Sequence, residues 1–368
     1  MSESAAGESR RTPLYESHKE LRASFKEVFN WEMPASYGDS LIEQRQVKNG
    51  VGLVDMSFCG AIKIGGSEAA TFLHNLVTND VKALPSGKGF MAAFLTGHGK
   101  VRAFCRILRF NDQYLVINDP QTHEKVYKYI FPFSYAGDFK VEDASDSYRT
   151  LSLQGPKSLL VLKEVCFEPV PDLEESGWVS TIIAGHQVQV VRASHSIDGG
   201  YDILIPSDGL KDVWDFLLLK GSFHSISPFG QSTLNVLRIE AGIPVYGVDI
   251  DENNMMLESG LADAVSLNKG CYTGQEAVAM ATYRGHVSKR ITGLVVKGDT
   301  LPAAGDKVMR GEKEVGQVTS TAFSDAVGSV ISLALIKYGN FDPGIELTVQ
   351  SSSGVIDAKV VELPFYRK

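Results

Sequence analysis

Apolar and polar positions change their period several times along this chain, and each change marks an element. Residues 60–64 alternate as a half-buried strand does and stop at Gly65-Gly66. After them the cap-type Ser67 opens a run in which Ala70, Phe72, Leu73 and Leu76 fall at helical spacing. An earlier helix is predicted from Ser40, with Glu43 three residues on, ending before Gly50 or Gly52, while residues 12–16 read as a short extended piece. Strands over 89–95 and 100–110 are joined by the turn-prone Thr96-Gly97-His98-Gly99. A third strand covers 114–118, so this stretch predicts an antiparallel meander. A helix over 123–131 and a strand at 140–143 follow. Residues 149–154 form a strand that runs into Gly155-Pro156, a helix start because proline has no N–H to leave unbonded in a first turn.

The same rhythm returns in the second half: strands over 188–192 and 201–205 flank Asp198-Gly199-Gly200, and a helix over 209–219 carries Trp214, Phe216, Leu217 and Leu218. Strands and helices in both halves predict an α+β fold with a weak internal repeat. From Ile291 the texture changes to six short apolar runs broken by glycine, at 291–296, 306–309, 316–320, 330–335, 346–350 and 355–363. These predict a small antiparallel β-barrel. The organisation expected is a flexible leader over residues 1–11, an N-terminal α+β domain over 12–147, a second over 148–290, and the barrel over 291–368. At 368 residues the chain exceeds what one hydrophobic core usually fills, which agrees with several domains.

A net charge of -8 leaves no overall basic field for a nucleic-acid backbone or an anionic membrane. The first eleven residues lack the apolar stretch of a secretory signal, and no window holds about 18 uninterrupted apolar residues, so neither a membrane partner nor an anchor is expected and the default location is cytoplasmic. Cys59, Cys105, Cys166 and Cys271 are widely spaced, with no C-x-x-C and no cluster with histidine. Free thiols are therefore expected, and no protein metal site.

Candidate chemistry gathers late in the chain. Lys269-Gly270-Cys271-Tyr272-Thr273-Gly274-Gln275-Glu276 sets a cysteine between glycines in a polar cluster. A thiolate held by Lys269 would serve as a nucleophile, a redox sensor or a soft ligand to a partner's metal; the plain alternative is a structural cysteine. Arg284, His286, Lys289 and Arg290 form a basic exit toward the barrel, either a solvated run or a dock for an anionic tail.

Several segments carry a resemblance. Thr12-Pro13-Leu14-Tyr15 with His18, Glu32-Met33-Pro34, Gly52-Leu53-Val54-Asp55-Met56-Ser57, Val77-Thr78-Asn79-Asp80-Val81, Leu153-Gln154-Gly155-Pro156, Leu237-Arg238-Ile239-Glu240-Ala241-Gly242, Val318-Thr319-Ser320 and Leu363-Pro364-Phe365-Tyr366 recur in order. Together they resemble the glycine-cleavage T-protein superfamily of tetrahydrofolate-dependent aminomethyltransferases over nearly the whole chain. The stretch 269–276 looks like the signature of that superfamily's YgfZ-type branch, folate-binding proteins associated with upkeep of iron–sulfur enzymes; the branch usually continues to an arginine where Met280 stands here.

The resemblance implies two related α+β domains and a C-terminal barrel around tetrahydrofolate or a one-carbon derivative of it. It implies that Asp202 takes the pterin-binding carboxylate position, one methylene shorter than the family glutamate, and that Asn118 hydrogen-bonds the pterin, with a turn residue satisfying its own backbone as the alternative for Asn118. Arg238 is then placed near the glutamate tail or substrate, with an ion pair to Glu240 or Asp249 as the alternative. Tyr246 lies on the connection that follows it, and His195 stands where the transferases have a pocket tyrosine. A family aspartate near the reacting pterin nitrogen falls on Phe104, and no Asp or Glu occurs between Asp80 and Asp112. Strand alternation predicts Arg102 and Arg106 on the face of Phe104, or on the strand's rim or at a bulge.

Three functions follow from these residues. The first is a folate-binding protein of the YgfZ type that supports iron–sulfur proteins through bound folate and Cys271 with Lys269. The second is a tetrahydrofolate-dependent methyl- or aminomethyltransferase with an altered substrate. The third is an interaction module that has lost folate, because Asp202, His195 and Phe104 all depart from the transferase pocket.

Overall fold

The computed structural model describes residues 9–367. Most of the leader expected over 1–11 lies outside the described residues; at its end Arg10 and Arg11 are paired in parallel with Trp31 and Glu32. Trp31–Ser36 pairs on its other side with Ser24–Val28, giving a small three-stranded sheet, and two larger sheets with their helices and a closed barrel make up most of the rest.

The first sheet has five strands, in the order Gly89–Leu95, Val101–Phe110, Gln113–Asn118, Gly60–Gly65 and Lys140–Asp143. Alternation gives its inner strands two buried faces. Ile62 and Ile64 pack under the helices Ala69–Leu76 and Pro120–Ile130, whereas Ala61, Leu108 and Leu115 meet Val191 and Leu204 of the second sheet. That sheet has six strands, in the order Trp178–Ile183, His186–Arg192, Gly200–Pro206, Tyr148–Gln154, Val51–Asp55 and Ile226–Pro228. Its last two strands come from distant parts of the chain, one before the first sheet begins and one after the second meander ends.

The internal repeat is visible in the topology. Gly60–Gly65 and Tyr148–Gln154 each lead to a short helix and a three-stranded meander whose last strand returns antiparallel to pair with the first. A longer helix follows each meander, Pro120–Ile130 in one half and Leu210–Lys220 in the other. The turn after each first strand holds a glycine at positive φ, Gly66 (+123°) and Gly155 (+116°). A Cβ there would run into the backbone carbonyls of Asp138 and Val47 respectively.

The six expected barrel strands form and close, all antiparallel, from Lys289–Val296 through Gly354–Val361. Ser329–Lys337 is apolar almost throughout because its faces bury separately. Val330, Ala334 and Ile336 fill the barrel, while Ile331, Leu333 and Leu335 pack outward on Ala93, Val101 and Phe104 of the first sheet.

Some elements differ from the sequence pattern. Residues expected to be extended at 12–16 enter the helix Tyr15–Glu20. The helix expected from residue 123 begins at Pro120, with proline in its first turn. Ser67 does not cap a helix; its hydroxyl donates to Asp138, and Glu68 precedes the helix Ala69–Leu76. The helix Gln275–Arg284 has no apolar stripe to announce it, since Val278 is buried but Met280 and Tyr283 are exposed.

Candidate functional site

Asp202 lies mid-strand in Gly200–Pro206. Its neighbours Tyr201 and Ile203 turn toward the second domain's own core, and Leu204, two residues on, faces the first sheet, so period-two alternation aims Asp202 into the seam between the sheets. His195 arrives on the preceding loop, fixed by its N–H donating to Gln154 Oε1 at 2.9 Å. Its Nε2 stands 3.0 and 3.1 Å from the two Asp202 oxygens. Burial alone would lower the imidazole pKa and raise the carboxyl's. Mutual attraction wins, so His195 is raised and Asp202 lowered. Part of the Asp202 carboxylate is thus already engaged by His195.

Asn118 ends the strand Gln113–Asn118, paired with Gly60 on one side and Cys105 on the other. It is 1% exposed, yet neither Oδ1 nor Nδ2 has a partner. Two orphaned polar atoms in the interior cost about 1–3 kcal/mol each unless something else meets them. The next residue, Asp119, was not singled out by sequence. Its carbonyl accepts from Thr122 and His123, but its carboxyl takes no hydrogen bond from a described residue, and burial pushes its pKa up, with the charges of His195 and Arg238 offsetting part of that. The available signal was an acid directly after a strand-end candidate and before a helix-starting proline.

Phe104 is ordinary core. It packs with Ala93, Val101, Ile239, Tyr246 and Leu333 between the first sheet and the barrel. Its two arginines part company. The ladder shifts register between Phe94 and Leu95, and Arg102, opposite that shift, lies over the Tyr129 ring at 4.5 Å on the helix Pro120–Ile130. Arg106 crosses to the second domain, donating to Ser176 and, at 3.1 Å, to Glu175.

Arg238 is committed to a structural clamp. Its Nη1 donates to Asp249 Oδ2 at 2.6 Å and to the Ile243 carbonyl at 3.1 Å, its Nη2 to Ser320 Oγ at 2.7 Å, and its Nε to Asn235 at 2.9 Å. Asp249 completes the clamp by accepting from Thr319, Ser320 and the Val245 N–H, which ties the helix Gln231–Ala241 to the barrel. Tyr246 is held to the helix Pro120–Ile130: its hydroxyl is 3.0 Å from Lys125 Nζ and its carbonyl accepts from Gln121 at 2.9 Å.

Lys269 does not hold the neighbouring thiol. Its Nζ donates to the carbonyls of His74, Val77 and Asn79 at 2.5, 2.7 and 2.9 Å, which uses all three protons of an ammonium. These carbonyls lie at and just past the C-terminal end of Ala69–Leu76, where helix carbonyls lack internal partners and a cation is favoured. Thr273 N–H donates to Asn75 O nearby. Burial lowers the Lys269 pKa to about 8, partly offset by Asp80. The stretch 269–274 is therefore a clasp on a helix end, with Cys271 exposed on it. No hydrogen bond or ion pair of the described residues joins it to Asn118, Asp202 or His195. Of the basic exit, His286 lies against the Tyr338 ring and Arg290 over Phe341, both on the barrel; the Arg284 side chain lies outside what is described.

The residue types present suit a reduced pterin. Its amide edge calls for paired acceptors and donors and its faces for apolar walls, and the orphaned Asn118, the Asp202 carboxylate, the Asp119 carboxyl and the rings of Phe104 and Tyr246 are of those kinds. No helix among the described residues is long and apolar enough to cross a membrane.

Residues 14–269 match the glycine cleavage T-protein N-terminal domain family and residues 289–367 its C-terminal barrel domain. The chain belongs to the glycine cleavage T-protein family. It is 31% identical to an aminomethyltransferase of Thermotoga maritima, over 97% of this chain and 98% of that one. To an aminomethyltransferase of Halothermothrix orenii it is 30% identical, over 97% and 99%. Among solved structures, the glycine cleavage system aminomethyltransferase T of Bartonella henselae superposes with a TM-score of 0.90 at 22% identity, covering 97% of this chain and 98% of that one, a likeness of fold.

Proposed function

We propose that this protein is a tetrahydrofolate-dependent one-carbon transferase, of methyl or aminomethyl groups, whose donor differs from that of the glycine-cleaving enzymes. The observation that carries the reading is Asn118, buried at the end of the strand Gln113–Asn118 with both side-chain polar atoms unpartnered. Relatives of nearly equal length named aminomethyltransferase support it. Asn118 and Asp202 would hold the pterin edge, while Phe104 and Tyr246 would wall its face and exclude water. Bound tetrahydrofolate supplies a nucleophilic secondary amine that accepts the one-carbon unit. The altered donor rests on Phe104, an apolar ring where a cationic aminomethyl group would favour a carboxylate.

The test is incubation with tetrahydrofolate and a panel of S-methyl, N-methyl and aminomethyl-thioether donors, read as one-carbon folate by chromatography. Turnover with one donor supports the reading; no turnover together with no calorimetric binding of folinic acid overturns it.

A second reading, support of iron–sulfur proteins in the YgfZ manner, is favoured by the exposure of Cys271. It predicts that deleting the gene lowers the activity of several iron–sulfur enzymes and that a Cys271→Ser gene does not restore them.

A further inference from the structure

Transfer onto an amine nitrogen releases a proton, and the seam holds few acids free to take it. Asp202 is bonded to His195, Asp249 to Arg238 and to barrel hydroxyls, and Asp55 to Thr12, His18 and the Ser57 N–H. Asp119 accepts through its carbonyl from the first turn of the helix Pro120–Ile130, but its carboxyl caps no N–H of that helix and takes no hydrogen bond from a described residue. Its place is set by the ladder. Asn118 pairs with Cys105 and Ile117 with Arg106, so continuing the antiparallel register puts Asp119 across from Phe104 on the neighbouring strand. The unpartnered Asn118 next to it marks where a polar heterocycle would lie.

Resting on the transferase reading, we infer that Asp119 is the catalytic proton acceptor of this site, a carboxylate supplied across the ladder from the apolar position 104. Asp119 Oδ takes the proton released as a secondary amine's lone pair closes its bond to the one-carbon unit. It passes that proton to the donor's leaving group, an amine or thiolate, which departs with the electron pair of the broken carbon–heteroatom bond. N–H and C–X become N–C and X–H, and no oxidant or reductant enters.

The surroundings suit a base. Burial raises the Asp119 pKa, while His195 from the second domain and Arg238 from the helix Gln231–Ala241 offset part of the rise. Its place at the start of Pro120–Ile130 also favours the anion. The other titratable groups that feel its charge are the Cys59 and Cys105 thiols, both pushed up by burial first and by Asp119 second. A carboxyl poised between these influences is suited to accepting and returning a proton.

The experiment compares the full chain with Asp119→Asn by folinic acid calorimetry, by single-turnover transfer to tetrahydrofolate across pH from the donor of the above panel that wild type uses, and by carbon NMR titration of aspartate carboxyls. We expect the variant to bind folinic acid within about threefold of wild type, and to transfer at least about 100-fold more slowly without the acidic limb of the wild-type pH profile. The wild-type titration should show an Asp119 carboxyl above the ordinary range that responds to folinic acid. Transfer by the variant within about fivefold of wild type overturns the role of Asp119 while leaving the transferase reading standing. A wild type that neither binds folinic acid nor transfers overturns both. If the variant does not fold, the wild-type titration decides: an Asp119 that titrates in the ordinary carboxylate range and ignores folinic acid overturns the inference.

Discussion

His195 Nε2 bridges both oxygens of Asp202 at 3.0 and 3.1 Å, joining a loop to the central strand of the second sheet. Because the histidine's pKa is raised on folding, its share of stability is present below the unfolded value and is lost as pH rises through the folded one. The aspartate's is lowered, so its share is present above its unfolded value and is lost as pH falls through the folded one. The pair is therefore complete between about pH 4 and 6.5. His195→Gln should cost about 1–3 kcal/mol in that window. Thermal midpoints measured across pH should show the gap to wild type closing on the alkaline side; a gap of constant size would count against the pairing.

Asn118 sets function against stability. Asn118→Leu removes two unsatisfied buried polar atoms at similar volume and should stabilise the ligand-free protein by about 1–2 kcal/mol. The same change should weaken folinic acid binding at least about tenfold, since hydrogen bonds made only to ligand are lost. Denaturant titration and calorimetry on one sample check both halves. A loss of stability without a loss of affinity would make Asn118 a structural residue.

Lys269 should matter to the fold more than to the thiol beside it. Lys269→Met strips three carbonyls of their donor and should destabilise by about 2–4 kcal/mol. The rate of Cys271 alkylation below the melting transition should stay within about twofold of wild type, because a thiolate held by Lys269 is the case that would slow it. A large drop in alkylation with unchanged stability is the contrary result.

Asp249 ties the helix Gln231–Ala241 to the barrel, and Arg238 stays buried when its partner goes. Asp249→Asn should cost about 3–5 kcal/mol, the usual penalty for stranding a buried charge. Differential scanning calorimetry should show the barrel and body transitions separating or falling together; an unchanged profile would refute the clamp.

Much of the architecture was legible locally. The six barrel strands, the first meander and the last two strands of the second follow from period-two runs between glycine-rich turns, because a strand's faces are written in alternate residues. The helix Gln275–Arg284 was not legible, since its large side chains face water and leave no stripe. Strand pairing was not legible either: Val51–Asp55 and Ile226–Pro228 join the second sheet from far along the chain, and no short-range pattern encodes a long-range neighbour.

The sequence alone determined the family and the residue types available to the proposed folate site: Asn118, Asp202 and His195, with an apolar Phe104. Only the tertiary structure decided their employment. Side chains compete for partners that come from other elements, so Arg238 went to Asp249, Lys269 to a helix end, and His195 to Asp202. The side chain of Asn118 was left without a protein partner for the same reason: nothing that folds around it supplies one. Polar groups kept unsatisfied in a buried seam are a property of packing in three dimensions, and no residue shows it in its own neighbourhood of sequence.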